Sequence, residues 1–129
     1  MTEVWVRAGL PYRPKGRDSL ARLRKQISET PDLFLGAFEN GRLVGVAICS
    51  DDLRKGWINR LAVVPDARGR GIGRALIEAS EDALGRRGHK LFCVLIEEDN
   101  PTSTMLFSKA GYRHESDILY YAKRESESY

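Results

Sequence analysis

Residues 56–96 hold the pattern that most restricts the fold. An apolar run, GWINRLAVV, stops at Pro65; a glycine-rich stretch, DARGRGIGRA, follows; and Ile72, Leu76, Ala79 and Ala83 then recur along one helix face up to Gly88. After that helix comes LFCVLI at 91–96, apolar throughout, as expected of a central strand covered on both faces. Strand, loop, helix and strand in this order predict a β-α-β crossover, which joins two parallel strands and is right-handed almost without exception.

The rest of the chain builds outward from that unit. EVWVRA at 3–8 predicts a first strand, closed by Gly9, Pro11 and Pro14. Leu20, Leu23 and Ile27 predict an amphipathic helix between Ser19, a candidate N-cap, and Pro31. Two β-rich runs flank Asn40-Gly41, a type I′ hairpin signal because both positions need positive φ. Asn100, Pro101 and Gly111 fit the N-cap, N1 and C′ positions of a further helix. Residues 112–115 and 118–123 read as two closing strands around Ser116-Asp117, and RESESY as a frayed tail. The order β, α, ββ, β, α, β, α, ββ predicts an α/β (α+β) fold: one domain, residues 1–129, with a mixed sheet of about six to seven strands. A chain of 129 residues can bury a core without disulfides or metals.

Composition narrows the function classes. Apolar residues at 42% and charged residues at 30% exclude a disordered chain. Net charge is only +3, yet the first thirty residues hold seven Lys or Arg against three acids, a slope toward an anionic ligand. Nucleic acid is not the expected partner, because Arg13, Lys15, Arg17, Arg22, Arg24 and Lys25 have no interleaved aromatic beyond Tyr12. Cys49 and Cys93 lie far apart in apolar runs, with no CxxC and no metal-ligand spacing, so both read as buried free thiols and no metal is expected. No apolar stretch reaches the ~18 residues of a membrane span and no signal-peptide pattern opens the chain, so the expected location is the cytoplasm.

The glycine-rich loop poses its own question. Arg68, Arg70 and Arg74 stand at a helix N-terminus, where exposed cations oppose the dipole by typically ~0.3–1 kcal/mol each. A bound anion reverses that sign, and outward N–H groups with glycines that admit a ligand are what phosphate binding needs. A P-loop requires Gly-Lys-Ser/Thr, whereas Arg74 and Ala75 follow Gly73. A dinucleotide fingerprint starting at Gly69 requires glycine at 74, where Arg stands. The pattern that fits is R-x-x-G-x-G, Arg68 to Gly73.

LAVVPDARGRGIGRAL resembles the pyrophosphate-binding motif of the GCN5-related N-acetyltransferases (GNAT), LaV-x-P-x-x-R-G-x-G-I-G-x-x-L. LFCVLIEEDN and LFSKAGY resemble that family's following strand, Asn, and helix ending in K-x-G-F/Y. The resemblance implies the GNAT fold and acetyl-CoA, or another acyl-CoA, as co-substrate, held where two central parallel strands splay apart. Carried over by position, the amides of Arg68, Gly69, Arg70, Gly71, Ile72 and Gly73 would hold the pyrophosphate. The backbone of Leu61, Ala62 and Val63 would pair with pantetheine, Asn100 would face it, and Lys109 would lie near the adenosine 3′-phosphate. Asn100 also reads as a plain N-cap, Lys109 as a solvated charge, and Ile72 and Leu76 as core.

The implied reaction is acetyl transfer to a primary amine by direct attack. A lysine-like amine is mostly protonated at pH 7, and using its neutral form costs about 4–5 kcal/mol, so a general base helps. The backbone N–H of Val63 is the expected oxyanion donor. Phe107 stands where the family often has a Tyr acid, and Asn59, Arg60 and Leu95 stand where many members place a Glu. Strand alternation puts Glu97 on the face of Leu95, making it the candidate base. The segments that usually cover the acceptor are short, which suggests a protein N-terminus or lysine as acceptor, or a site completed by a second copy in a homodimer. Tyr120 or Tyr121 could line that site, one pointing in and one out, although core packing is the more usual role for such a pair. The alternative is a non-catalytic acyl-CoA-binding module that keeps the cleft without the chemistry.

Overall fold

Residues 20–126 are described in the computed structural model. The strand expected at 3–8, Ser19 as an N-cap and the last residues of the tail lie outside the described residues. Four strands form one sheet in the order β1-β2-β3-β4: β1 (Phe34–Glu39), β2 (Arg42–Asp51), β3 (Gly56–Val63) and β4 (Phe92–Val94). Three helices accompany it: α1 (Leu20–Glu29), α2 (Ile72–Arg86) and α3 (Pro101–Lys109).

Local chemistry explains the connections. Asn40 and Gly41 take φ of 53° and 77°, the type I′ geometry, and place β1 antiparallel to β2. Between β2 and β3 the Asp52 carboxylate accepts from the N–H groups of Arg54 at 2.9 Å and Lys55 at 2.8 Å. These two bonds hold the Asp52 carboxyl down from the usual 3.8 to about 2. Helix α2 then carries the chain over the sheet to β4, which pairs in parallel with β3. It ends at Arg86, near Gly88 as expected, and Gly88 takes a φ of 93°.

The core lies between α2 and the sheet, where Leu76, Ile77, Ala83 and Leu84 are buried. Burying Ile77 or Leu84 contributes roughly 1.5–3 kcal/mol each. Two strand glycines let the helix sit close: a Cβ on Gly45 would stand 3.0 Å from Leu76, and one on Gly56 would stand 2.8 Å from Leu84. At the far end of α2, Arg87 reaches Asp32 with Nη2 at 2.8 Å and Nε at 2.9 Å, and Asp51 with Nη1 at 3.4 Å. His89 Nε2 lies 3.2 Å from the same Asp51 carboxylate. The hydrogen bonds from Arg87 lower the pKa of Asp32, and those from the Leu53 N–H and His89 lower that of Asp51.

Two expectations are corrected. The strand buried on both sides is β2, continuous from Val44 to Cys49, whereas β4 pairs for three residues and stays half-buried. Residues 112–115 and 118–123, expected as closing strands, form none. A strand needs a partner ladder as well as a pattern. Here β4 ends at Val94, and its far edge carries no strand among the described residues. Ile118, Leu119, Tyr120 and Tyr121 are consequently exposed. The described sheet therefore has four strands, where six to seven were expected for the whole chain. Cys49 is buried, Cys93 half-buried, and both are free thiols.

Candidate active site

The site begins where β3 and β4 part. They pair at Gly56↔Phe92, Trp57↔Cys93 and Ile58↔Val94, after which β3 runs on alone to Val63. At the same point β3 carries a bulge: Arg60 faces Ile48 and Ile58 faces Cys49, leaving Asn59 as the extra residue. Asn59 Nδ2 donates to Ser50 Oγ at 2.8 Å and holds the bulge to β2.

That extra residue decides which backbone groups face the gap. The Gly56 N–H donates toward β4, to Leu91 O at 3.0 Å, while the Val64 N–H donates toward β2, to Val44 O at 2.9 Å. Unbroken alternation would send both to the same side, so the bulge shifts the parity once. Beyond it Leu61 and Val63 turn N–H and C=O into the opening between the strands. Ala62 turns its own toward β2, opposite Val46, so the pantetheine-pairing role expected of its backbone is corrected: only its flank meets the gap.

The glycine-rich loop closes one end of this wedge. Gly69 and Gly71 have φ of 82° and 80°, a left-handed conformation that side chains disfavour. Gly71 is the N-cap of α2 and no side chain caps the helix, so its first N–H groups have no intrahelical acceptor. Gly73 has another reason to be glycine: a Cβ there would stand 2.9 Å from Leu106 of α3.

The wedge encloses about 330 Å³. It brings together Leu61, Ala62, Val63, Arg68, Gly69, Gly71, Ile72, Gly73 and Asn100 of the residues picked from sequence. Its charged lining among the described residues is Arg68 and Arg74, with no acid, as an anionic ligand requires. Arg70 and Lys109 stand outside it. Arg70 turns to Glu39, 2.5 Å away, and to Asp66 O at 3.1 Å. Arg74 is held by Glu78 at 3.3 Å and by Lys109, whose carbonyl oxygen accepts from Nη1 at 3.1 Å. Arg68 Nε donates to Val63 O at 3.1 Å.

A second cavity of about 400 Å³ adjoins the wedge, and Leu61, Asn100 and Ser103 line both. Glu97, Arg60, Phe107, Tyr120 and Arg124 belong to its walls. Asn100 caps α3, its side chain accepting from the Ser103 N–H at 3.2 Å, so the cap and cavity roles coincide. Phe107 is buried and meets Tyr112 edge to face at 5.1 Å. The Tyr112 hydroxyl donates to Glu81 at 2.7 Å, and burial with that bond pushes its pKa well up. Of the adjacent tyrosines Tyr120 lines the cavity, and both are exposed, so neither packs in the core. Sequence reasoning missed Thr102, Ser103 and Leu106, which line the wedge from one stripe of α3. Their spacing after the Asn-Pro start was the available signal.

The Acetyltransferase (GNAT) family profile matches residues 2–112. The chain belongs to the GNAT acetyltransferase family. This GNAT enzyme is 36% identical over 109 residues to an acetyltransferase of Pectobacterium atrosepticum, covering 84% of this chain and 76% of that one. It is 33% identical over 121 residues to an acetyltransferase of Sodalis glossinidius, covering 94% and 84%. Its fold matches the crystal structure of PaiA N-acetyltransferase from Thermoplasma acidophilum in complex with coenzyme A, with a TM-score of 0.73 at 23% identity, covering 88% of this chain and 69% of that one. Among the described residues no helix of this GNAT chain is long and apolar enough to cross a membrane.

Proposed function

We propose that this GNAT acetyltransferase moves the acetyl group of acetyl-CoA to a primary amine by direct attack, using the wedge for acetyl-CoA and the adjoining cavity for the amine. The observation that carries this reading is the shared wall of the two cavities at Leu61, Asn100 and Ser103. Among the described residues it is the stretch where a thioester in the wedge and an amine in the cavity can meet.

The N–H groups of the loop and of the first turn of α2 hold the pyrophosphate, with Arg68 and Arg74 adding positive field. Leu61 presents its backbone edge, and Val63 its N–H, to the pantetheine arm, while the Val63 carbonyl is held by Arg68. The neutral amine attacks the thioester carbon, forming C–N while the carbonyl oxygen gathers negative charge. The Val63 N–H stabilises that oxygen. C–S then breaks, the sulfur leaves as thiolate, and the nitrogen gives up one proton to Glu97 directly or through water. Phe107 offers no proton, and a thiol with an ordinary pKa near 8.5 needs little help to leave near neutral pH. A cytoplasmic location and a second copy completing the open acceptor side belong to the same reading; sedimentation checks the latter.

Thiol release from acetyl-CoA over a panel of amines and peptides tests the proposal. Turnover with any amine supports it. Tight coenzyme A binding with no turnover above background would favour a binding module that has lost the chemistry.

A further inference from the structure

Helix α3 meets both cavities, and its spacing divides them. Thr102 and Leu106 line the wedge alone, Phe107 lines the acceptor cavity alone, and Ser103 lines both. Residues three and four apart share a helix face, so Ser103 lies one turn before Leu106 and Phe107, at the seam between the cavities. The other residues of that seam are Leu61, whose side chain is apolar, and Asn100, whose side-chain oxygen accepts from the Ser103 N–H.

The Ser103 hydroxyl is uncommitted among the described residues. Hydroxyls inside helices often return to the carbonyl four residues back. Ser80 Oγ does so to Leu76 O at 2.7 Å, and Thr104 Oγ1 to Asn100 O at 3.1 Å. Ser103 Oγ makes no such bond, although the residue is half-buried. Phe107, one turn on, brings no polar side-chain atom to the same stripe.

We propose that Ser103 is a catalytic residue, its hydroxyl donating a hydrogen bond to the coenzyme A sulfur as the thiolate leaves. The proposal rests on the transfer reading above. As the C–S bond breaks, its electron pair passes to sulfur; the hydroxyl proton stays on Ser103 Oγ, and the surplus proton of the amine goes to Glu97 or water. A bond that strengthens as charge gathers on sulfur stabilises the transition state more than bound acetyl-CoA.

The test is Ser103→Ala, which removes the hydroxyl, keeps the capped N–H and places the best helix former in α3. With acetyl-CoA and an accepted amine, kcat is expected to fall about tenfold at unchanged KM for acetyl-CoA, the size of one hydrogen bond to a charged group at a partly exposed site. The thiol of bound coenzyme A, titrated by its thiolate ultraviolet absorbance, is expected to rise in pKa by about one unit in the same variant. Ser103→Thr should restore both. Ser108→Ala, exposed on α3 and lining neither cavity, should change neither. An unchanged kcat, or an equal thiol pKa in Ser103→Ala and the parent protein, would overturn the proposal and leave the transferase reading standing. No turnover of any amine by the folded, coenzyme A-binding parent protein would overturn that reading, and the thiol titration alone then decides whether Ser103 touches the sulfur.

Discussion

Arg68 Nε donates to the Val63 carbonyl at 3.1 Å, so the first arginine of the loop holds the end of the strand that borders the wedge. The side chain thus serves the strand, besides the anion-binding role proposed for it. Arg68→Met is expected to weaken coenzyme A binding and to lower kcat, each roughly tenfold, because a charged donor is lost at a partly exposed site. Arg68→Lys restores little, since an ammonium lacks the planar fork. Weaker binding with unchanged kcat, by calorimetry and steady-state rates, would leave Arg68 as a phosphate contact alone.

Gly71 separates conformation from charge. With φ of 80°, Ala is strained there by ~1–2 kcal/mol, whereas Asp tolerates the left-handed region better. Thermal melting should therefore rank Gly71→Ala as the less stable variant. Calorimetry should rank Gly71→Asp as the weaker binder of coenzyme A, because its carboxylate faces the pyrophosphate. Equal affinities for the two variants would remove the anion from this loop.

Glu97→Gln removes the candidate base from the acceptor cavity. The expected result at pH 7 is a loss in kcat/KM on the order of 100-fold with unchanged coenzyme A affinity. A loss below about tenfold would assign proton removal to solvent.

Gly56 and Gly85 should respond oppositely to the same change. A Cβ on Gly56 meets Leu84 at 2.8, 3.0 and 3.1 Å, and Leu84 is fully buried, so Gly56→Ala should destabilise by about 1–3 kcal/mol. Gly85 lies within α2 with nothing within 4 Å of that position. Gly85→Ala should stabilise by about 0.5–1 kcal/mol in urea unfolding.

Acid should loosen the turn between β2 and β3. The folded pKa of Asp52 is lowered to about 2, and those of Asp32 and Asp51 are lowered too. A depressed folded pKa contributes stability that is full above the unfolded value near 3.8 and is lost as pH falls toward 2. Melting temperature should hold from pH 7 to about 5 and drop between about 4 and 2. Asp52→Asn should flatten that drop; an unchanged slope would exclude Asp52 as a source.

Local signals in the sequence were read where local chemistry decides. Asn40-Gly41 needs only its own φ angles, Asn100 only the Ser103 N–H three residues on, and the loop only its glycines. What stayed hidden depends on distant partners. Nothing near Arg70 marks Glu39, 31 residues away, as the group that draws it out of the wedge. The apolar and aromatic run at 118–123 could not reveal that β4 stops at Val94, and an apolar LFCVLI could not say that β2 would be the covered strand. The bulge at Asn59 leaves no trace in hydrophobic pattern, although the orientation of Leu61 and Val63 follows from it.

Because that orientation is set by parity, the wedge is written in a count rather than in identities. Exchanging side chains between Trp57 and Arg60 leaves the number of residues from Gly56 to Val64 intact, and with it the edge turned toward the wedge. Deleting any one of them swaps the outward and inward groups of the remaining strand, so a single missing codon here would undo what many missense changes spare.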